Sequence, residues 1–298
     1  MTNISNQINT IKLHSKLAGI SSDEISLAKE VVLNKNKDKS LFVCEGLWAV
    51  DKLIQKNIEV LYFFFNQEKI DKELESEENI NTIAKMTKYA KASFGISEKA
   101  CKKISDRDGY DEYFIIARQP ECSFETLENK IAGKNNVLAI VMDGLEQPGN
   151  IGAILRSFDS AGGDFALIVN KKARLTNSRL VRASLGASFI IPTLETDIET
   201  AQKWLVQNNF KCVVTDLQAK KSFKEADYSN RIAIVAGNEH TGISPSWRNV
   251  KNAESIIIPM LGSVESLNVG FASTLVAYEA GLQKFGNKKD ALIWLILT

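Results

Sequence analysis

The chain has 298 residues, 44% of them hydrophobic, which is enough to bury a sizeable core and to form two domains. Its 37 Lys and Arg residues balance 36 Asp and Glu residues, so the net charge of +1 excludes a globally basic protein and leaves only a local patch for nucleic acid. The four cysteines and two histidines lack the spacing of metal ligands, which predicts free thiols, no metal and a cytoplasmic location.

The first 118 residues predict an arm followed by a small α/β domain. Residues 1–22 show no clear hydrophobic period, which is typical of a loosely held arm or a first helix. Residues 23–118 alternate helical and strand patterns, and the expected strands are Leu41–Glu45, Val60–Phe65 and Tyr113–Ala117. Arg107 lies on the turn before the last of these strands, where it can either contact RNA or remain a plain surface residue.

Residues 119–134 are polar and contain Pro120 and Gly133, so we expect a linker there. The second domain, 135–298, alternates strands with helices, a pattern that predicts a mostly parallel sheet covered by helices on both faces. Its apolar C-terminal run, Ala291–Leu297, is too short to span a bilayer. We therefore expect that run to cover an apolar surface, and we expect no membrane association.

Three predicted strands of the second domain end in loops that contain glycine and asparagine. These strands are Val137–Met142, Ile232–Ala236 and Ile256–Ile258. Ligands of parallel α/β sheets collect outside the carboxyl ends of the strands. The last loop also leads into a helix N-terminus, whose free amides suit a polar or anionic ligand. The three loops together predict one binding site formed largely by main-chain atoms.

The motifs in these loops resemble those of a known family. Asn150-x-Gly152-x-x-x-Arg156, Gly237-Asn-Glu239-x-x-Gly242, and Ile258-Pro-Met260 with Ser266-Leu-Asn268 are similar to the three ordered motifs of the SpoU (TrmH-like) RNA 2′-O-ribose methyltransferases. The resemblance covers residues 136–285 strongly and residues 41–118 more loosely. It implies a trefoil-knotted sheet of the SPOUT superfamily, preceded by a ribosomal-protein-like domain that binds RNA. Gly270 departs from the pattern, because the family usually has serine there.

The resemblance implies a catalytic role for five side chains. Arg156 is expected to act on the target ribose, by orientation and charge more than as a free base, because the pKa of a guanidinium exceeds about 12. Asn150 is expected to hold the ribose or the arginine, and Glu239 to accept hydrogen bonds from either. Asn150 as a helix N-cap and Glu239 as a plain surface carboxylate are the alternatives. The full set is Asn150, Arg156, Glu239, Ser266 and Asn268.

The cofactor implied by the resemblance is S-adenosylmethionine, whose sulfonium is its own leaving group. The positions that match its binding sites in the family are Gly237, Ile258, Met260, Gly262 and Leu267. This chemistry needs alignment and exclusion of water more than acid–base groups, which agrees with motifs that lack cysteine and metal ligands.

A basic run supplies the expected RNA contacts, although a solvated helix face is the alternative reading. Its members are Lys171, Lys172, Arg174, Arg179 and Arg182. The resemblance further implies a homodimer, and the extra N-terminal domain favours ribosomal RNA of the large subunit over transfer RNA as the substrate. Two other hypotheses remain open: a tRNA 2′-O-methyltransferase and a non-catalytic RNA-binding protein with the same fold.

Overall fold

The computed structural model describes residues 2–72, 74–106 and 109–285. The described residues form two compact units. Unit 1 runs to Pro120 and also includes Leu175–Gly186, whereas unit 2 comprises Glu121–Arg174 and the described residues from Ala187 onward. Arg107 and the apolar run 291–297 lie outside the described residues.

Unit 1 is built on a five-stranded mixed sheet of order β1-β4-β3-β5-β2. In chain order, its elements are α1 Thr2–His14, β1 Lys16–Leu17, α2 Asp23–Val32, β2 Leu41–Glu45, a 3-10 turn Leu47–Ala49, α3 Val50–Gln55, β3 Val60–Asn66, α4 Gln67–Asp71, α5 Glu77–Tyr89, β4 Ala92–Ile96, α6 Glu98–Ile104 and β5 Tyr113–Arg118. The three expected strands are present as β2, β3 and β5, and β5 pairs antiparallel with both others. The short β1 and β4 were not expected.

The first 22 residues include a regular element. α1 packs against α5, and its Ile11 is fully buried. The likeness of unit 1 to a ribosomal protein stays a prediction.

Unit 2 contains a six-stranded sheet of order β11-β9-β10-β6-β7-β8, in which every pairing is parallel. The elements from residue 121 onward are α7 Phe124–Ile131, β6 Val137–Asp143, α8 Pro148–Ser160, β7 Phe165–Val169, α9 Ser178–Ser184 (part of unit 1), α10 Ala187–Ile190, β8 Thr193–Glu195, α11 Ile198–Gln207, β9 Lys211–Thr215, a 3-10 turn Phe223–Glu225, β10 Arg231–Ala236, a 3-10 turn Pro245–Asn249, β11 Glu254–Ile256 and α12 Val269–Phe285.

The sheet of unit 2 is covered on both faces, which explains its continuous apolar strands. Val137, Ala139 and Val141 of β6 belong to a core that also contains residues of α7 and α11. The alternate residues of β6 are equally buried, and α12 packs on β10 and α8. The mostly parallel α/β fold is thereby confirmed, whereas the trefoil knot stays a prediction. No helix within the described ranges is long and apolar enough to cross a membrane.

The structure differs from the expected linker 119–134. Ser123 and Thr126 form a capping box that starts α7, and Leu127 and Ile131 are buried in the core of unit 2. This segment is therefore part of the second unit, because its apolar residues recur at helical spacing between the breakers Pro120 and Gly133.

The segment 175–186 also departs from the expected division, since we placed it in the second domain. The Ser178 amide donates a hydrogen bond to Oδ1 of Asn34 at 3.1 Å, and Thr176 Oγ1 donates to the Lys39 carbonyl at 3.0 Å. These bonds attach α9 to unit 1.

Candidate functional site

A cleft of about 370 Å³ lies in unit 2, at the carboxyl ends of β9, β10 and β11 and at the start of α12. Seven residues proposed from the sequence line it, namely Gly237, Glu239, Ile258, Met260, Ser266, Leu267 and Asn268. Asn150, Arg156 and Gly262 are not in its lining. Sequence reasoning missed Gln147 and the segment Thr215–Leu217, which also line it, as does the exposed His240. The second and third motifs therefore converge at one edge of the sheet.

Gly237 follows β10 at a point where the backbone folds back on itself. A Cβ atom built at Gly237 would lie 2.3 Å from the carbonyl carbon of Gly242 and 2.4 Å from the nitrogen of Ile243. Asn238 shapes the turn between them: its Oδ1 accepts bonds from the amides of His240 and Thr241, and its Nδ2 donates to the Gly144 carbonyl at 2.8 Å. Only glycine fits at position 237, because the backbone of residues 242–243 occupies the place of a side chain.

Glu239 connects the second motif to the first. Asn150 Nδ2 donates to Glu239 Oε1 at 2.8 Å, and the amides of Glu146 and Gln147 donate to the same carboxylate at 3.3 and 3.4 Å. Burial by itself would raise the pKa of the Glu239 carboxyl, but the hydrogen bonds from Asn150 and the backbone outweigh it and lower that pKa. Glu239 is therefore an ionised acceptor and not a plain surface carboxylate.

Asn150 does not cap its helix, contrary to one reading of the sequence. α8 begins at Pro148, its N-cap is Gln147, and the Asn150 amide already donates to the Gln147 carbonyl at 3.0 Å. The side chain is thus free to bond outside the helix, which it does on both sides: it donates to Glu239 and accepts from Asn268 Nδ2 at 3.2 Å.

Asn268 connects the third motif to the first while it starts α12. Its Oδ1 accepts a bond from the Gly270 amide at 2.8 Å, and its carbonyl accepts from the Ala272 amide at 3.0 Å. Gly270, the departure from the family pattern, lies close to this cap, because a Cβ there would be 3.0 Å from Asn268 Oδ1. A chain of hydrogen bonds, Asn268–Asn150–Glu239, thus joins all three motifs.

Arg156 lies on α8, six residues and so about 9 Å of helix rise beyond Asn150. Its side chain is exposed and makes no hydrogen bond or ion pair with any residue that the structure describes. Nearby, Ser157 Oγ and Thr274 Oγ1 are hydrogen-bonded at 2.8 Å, which fixes α8 against α12. The guanidinium is therefore held on a rigid helix and keeps all its donors for an external group.

The loop between β11 and α12 supplies unused main-chain groups. Within the described ranges, the backbone N–H and C=O of Ile258, Met260 and Leu267 make no hydrogen bond. Ser266 and Gly262 are exposed on the same loop. Ile258, Met260 and Leu267 line the cleft, so their free backbone groups are available to a ligand with polar edges.

The basic run 171–182 does not form a single structural element. Lys171, Lys172 and Arg174 belong to unit 2, whereas Arg179 and Arg182 belong to unit 1. Lys171 pairs with Glu195, and Arg182 pairs with the nearly buried Glu45 at 2.9 Å. Arg182 therefore already compensates a nearly buried carboxylate, and its contact with RNA stays a prediction. Lys172 and Arg179 are exposed.

No group of three or more His, Cys, Asp or Glu side chains suited to a metal ion occurs in the part of the chain that the structure describes.

Comparison with known proteins adds independent findings. The model of the SpoU rRNA Methylase family matches residues 137–278. The 23S rRNA (guanosine-2′-O-)-methyltransferase RlmB of Escherichia coli K12 is 30% identical, over 59% of this chain and 74% of its own length. The enzyme of the same name from Haemophilus influenzae is 27% identical over 83% and 90%. An AdoMet-bound rRNA methyltransferase from Sinorhizobium meliloti has the same fold, with a TM-score of 0.76, 21% identity, and coverage of 90% of this chain and 97% of its own.

Proposed function

Because the chain belongs to the SpoU family of RNA methylases, we propose that it transfers a methyl group from S-adenosylmethionine to a ribose 2′-hydroxyl of large-subunit ribosomal RNA. The observation that carries this proposal is the Asn268–Asn150–Glu239 network, which holds the three family motifs around one cleft. A non-catalytic RNA-binding protein with the same fold would not require both this network and Arg156, which has no partner among the described residues.

The cleft fits the cofactor. Gly237 lines the cleft, and the free main-chain groups of Ile258 and Leu267 can bond the polar edges of adenosine. Bound S-adenosylmethionine supplies an activated methyl group on a sulfonium, which leaves without the help of a protein acid.

The side chains of the chain then orient the acceptor. Arg156 stabilises negative charge on the ribose oxygen or the adjacent phosphate, since its guanidinium has no partner among the described residues. Asn150 and Asn268 are fixed by their mutual bond and position the sugar, while Glu239 fixes Asn150. Ser266, exposed at the cleft, offers a hydroxyl to the same ligand region. Correct alignment lowers the barrier because it converts an encounter into a unimolecular step.

A ribosomal substrate is supported by the Haemophilus influenzae relative, whose similarity spans 83% of this chain and so extends beyond the family domain. We propose unit 1 as the part that selects the RNA, with Lys171, Lys172, Arg174 and Arg179 as further phosphate contacts. Such a substrate also implies that the enzyme acts in the cytoplasm.

We further propose that the enzyme is a homodimer. Phe271, Leu275, Tyr278 and Leu282 recur at spacings of four, three and four on α12, and their exposed fractions lie between 39% and 69%. This apolar stripe of α12 is too regular for a solvated helix face, and a second copy of the same stripe would bury it.

The proposed function is tested by incubating the purified enzyme with radiolabelled S-adenosylmethionine and with unmodified 23S rRNA, 16S rRNA or tRNA. We expect label only in 23S rRNA, at one alkali-resistant 2′-O-methyl nucleotide. Label in tRNA alone would replace the substrate assignment, and no label in any RNA, together with no cofactor binding in calorimetry, would overturn the enzymatic function.

A further inference from the structure

Asp216 is a carboxylate in the cleft that no family motif contains. It follows β9 directly, and it lines the same cleft as Gly237 and Ile258. Its side chain is only 8% exposed. β9 lies between β10 and β11 in the sheet, so the end of β9 adjoins the ends of the two strands that carry the second and third motifs.

The carboxylate of Asp216 is held in one orientation. Arg248 Nε donates to Oδ2 at 2.6 Å, and the Gln218 amide donates to Oδ1 at 3.0 Å. The Asp216 backbone amide donates to the Ile256 carbonyl at 2.9 Å, which fixes the main chain as well. Each carboxylate oxygen has further lone pairs after these bonds, so the group can still accept two hydrogen bonds.

Asp216 is also an acceptor only. The hydrogen bond from Arg248 lowers the pKa of the Asp216 carboxyl, despite the opposing effect of burial, so the group is ionised at neutral pH. Arg248 compensates the negative charge. The site therefore offers acceptor oxygens with little net charge, which suits a neutral ligand with two adjacent donors better than an ammonium group or the sulfonium.

We infer that Asp216 is a specificity-determining residue that accepts hydrogen bonds from the 2′- and 3′-hydroxyls of the adenosine ribose. Arg248 is its positioning residue. This inference rests on the proposed function, in which S-adenosylmethionine binds in the cleft. A vicinal diol presents two O–H donors at the spacing of two carboxylate oxygens. Sites built to bond a hydroxyl reject analogues that lack it, because the buried acceptor is then left unpaired. The cleft should thus discriminate ribose from deoxyribose in its methyl donor.

Calorimetry tests this inference without reference to turnover. S-adenosylhomocysteine and its 2′-deoxy and 3′-deoxy analogues are titrated into the wild type, Asp216→Asn and Asp216→Ala. The matched control is Asp227→Asn, since hydrogen bonds donated by Ser229 also lower the pKa of Asp227, which does not line the cleft. We expect the wild type and the control to bind the ribose form about 10- to 100-fold more tightly than either deoxy form. Both Asp216 variants should lose most of that ratio.

Arg248→Lys serves as a second variant, and thermal unfolding shows that each protein is folded. The lysine of Arg248→Lys keeps a positive charge but lacks the Nε donor, so we expect a ribose preference between those of the wild type and the Asp216 variants. A ribose preference that is unchanged in folded Asp216→Asn would overturn the inference and leave the proposed function standing. If the wild type binds none of these ligands, the proposed function fails together with the inference.

Discussion

Asn150 Nδ2 donates to Glu239 Oε1 at 2.8 Å, although the two residues are 89 positions apart in the chain. The bond joins the first turn of α8 to the loop after β10, at adjacent strand ends of one parallel sheet. It makes the position of the Asn150 side chain depend on the Glu239 carboxylate.

Replacing Glu239 by glutamine should weaken this connection. Glutamine has one acceptor oxygen in place of two, and when that oxygen accepts from Asn150 and Gln147, its NH2 group faces the Glu146 amide, which is also a donor. We expect the free energy of unfolding in urea to fall by about 1–2 kcal/mol and methyl transfer to fall more steeply than cofactor affinity. Glu199→Gln, an exposed change on α11, should alter stability by less than about 0.5 kcal/mol. Equal effects of the two changes would contradict the role of Glu239.

The same carboxylate predicts a pH dependence. Because the pKa of Glu239 is below its usual value of 4.5 in the folded protein, the ionised form stabilises the fold above that value. This contribution is lost as the pH falls through the lower, folded pKa. The difference in unfolding free energy between wild type and Glu239→Gln should therefore be constant from about pH 8 to pH 5 and shrink below about pH 4.5. Urea titrations at each pH measure it, and a difference that grows in acid would contradict the assignment.

Removing the Arg156 guanidinium should separate catalysis from binding. For Arg156→Ala we expect kcat to fall by about 100-fold or more, with the dissociation constant of S-adenosylmethionine unchanged. Stability should stay within about 0.5 kcal/mol of the wild type, because the side chain has no partner among the described residues. Single-turnover kinetics and calorimetry measure the two effects, and Lys203→Ala on α11 is the control. Full turnover by Arg156→Ala would exclude the proposed role.

Two glycines differ in how a methyl group would fit. At Gly237 the added Cβ meets backbone at 2.3 Å, so Gly237→Ala should displace the 238–242 turn, destabilise the protein and abolish cofactor binding. At Gly149, in the first turn of α8, a Cβ meets nothing within 4 Å. Gly149→Ala should therefore keep or slightly raise the melting temperature and retain cofactor binding. Scanning calorimetry and titration compare the pair; a benign Gly237→Ala would show that the turn can move.

The apolar stripe of α12 provides a test of the proposed dimer. Leu275→Glu combined with Tyr278→Glu places two charges in the proposed interface and should shift the protein to monomers in sedimentation velocity. Leu13→Glu is the matched control, because Leu13 is a highly exposed leucine on α1. A wild type that sediments as a monomer, or a double variant that remains dimeric, would exclude this interface.

Local signals predicted part of the site well. Gly237, Asn268 and their neighbours stand where an apolar strand gives way to glycine, asparagine and serine, a change that is visible within ten residues. The sequence of α7 also contains a helix signal, because Leu127 and Ile131 have helical spacing. Pro120 and Gly133 nevertheless led to the prediction of a linker. β4 was missed because Ala-Ser-Phe-Gly-Ile has weak strand propensity and depends on its parallel neighbours β3 and β1.

Other parts of the site had no local signal. Asp216 follows a short strand without a glycine-rich loop, and its importance comes from the position of β9 beside β10 and β11. The basic run looked continuous in sequence, yet α9 within it bonds to unit 1 through Asn34 and Lys39. Parallel pairing and unit boundaries depend on contacts between residues that are far apart in the chain, and propensity does not encode them.

By itself, the sequence determined the alternation of strands and helices, the polar loops at the strand ends and the family to which their motifs are similar. These features follow from hydrophobic period and turn chemistry, which act over a few residues. The family resemblance suggested a bond from Asn150 or Arg156 to Glu239. The tertiary structure alone decided that the donor is Asn150, that Asn268 joins the same network and that Asp216 lines the same cleft. The physical reason is that strand order in a parallel sheet is set by long-range packing and register, which bring the ends of distant segments together.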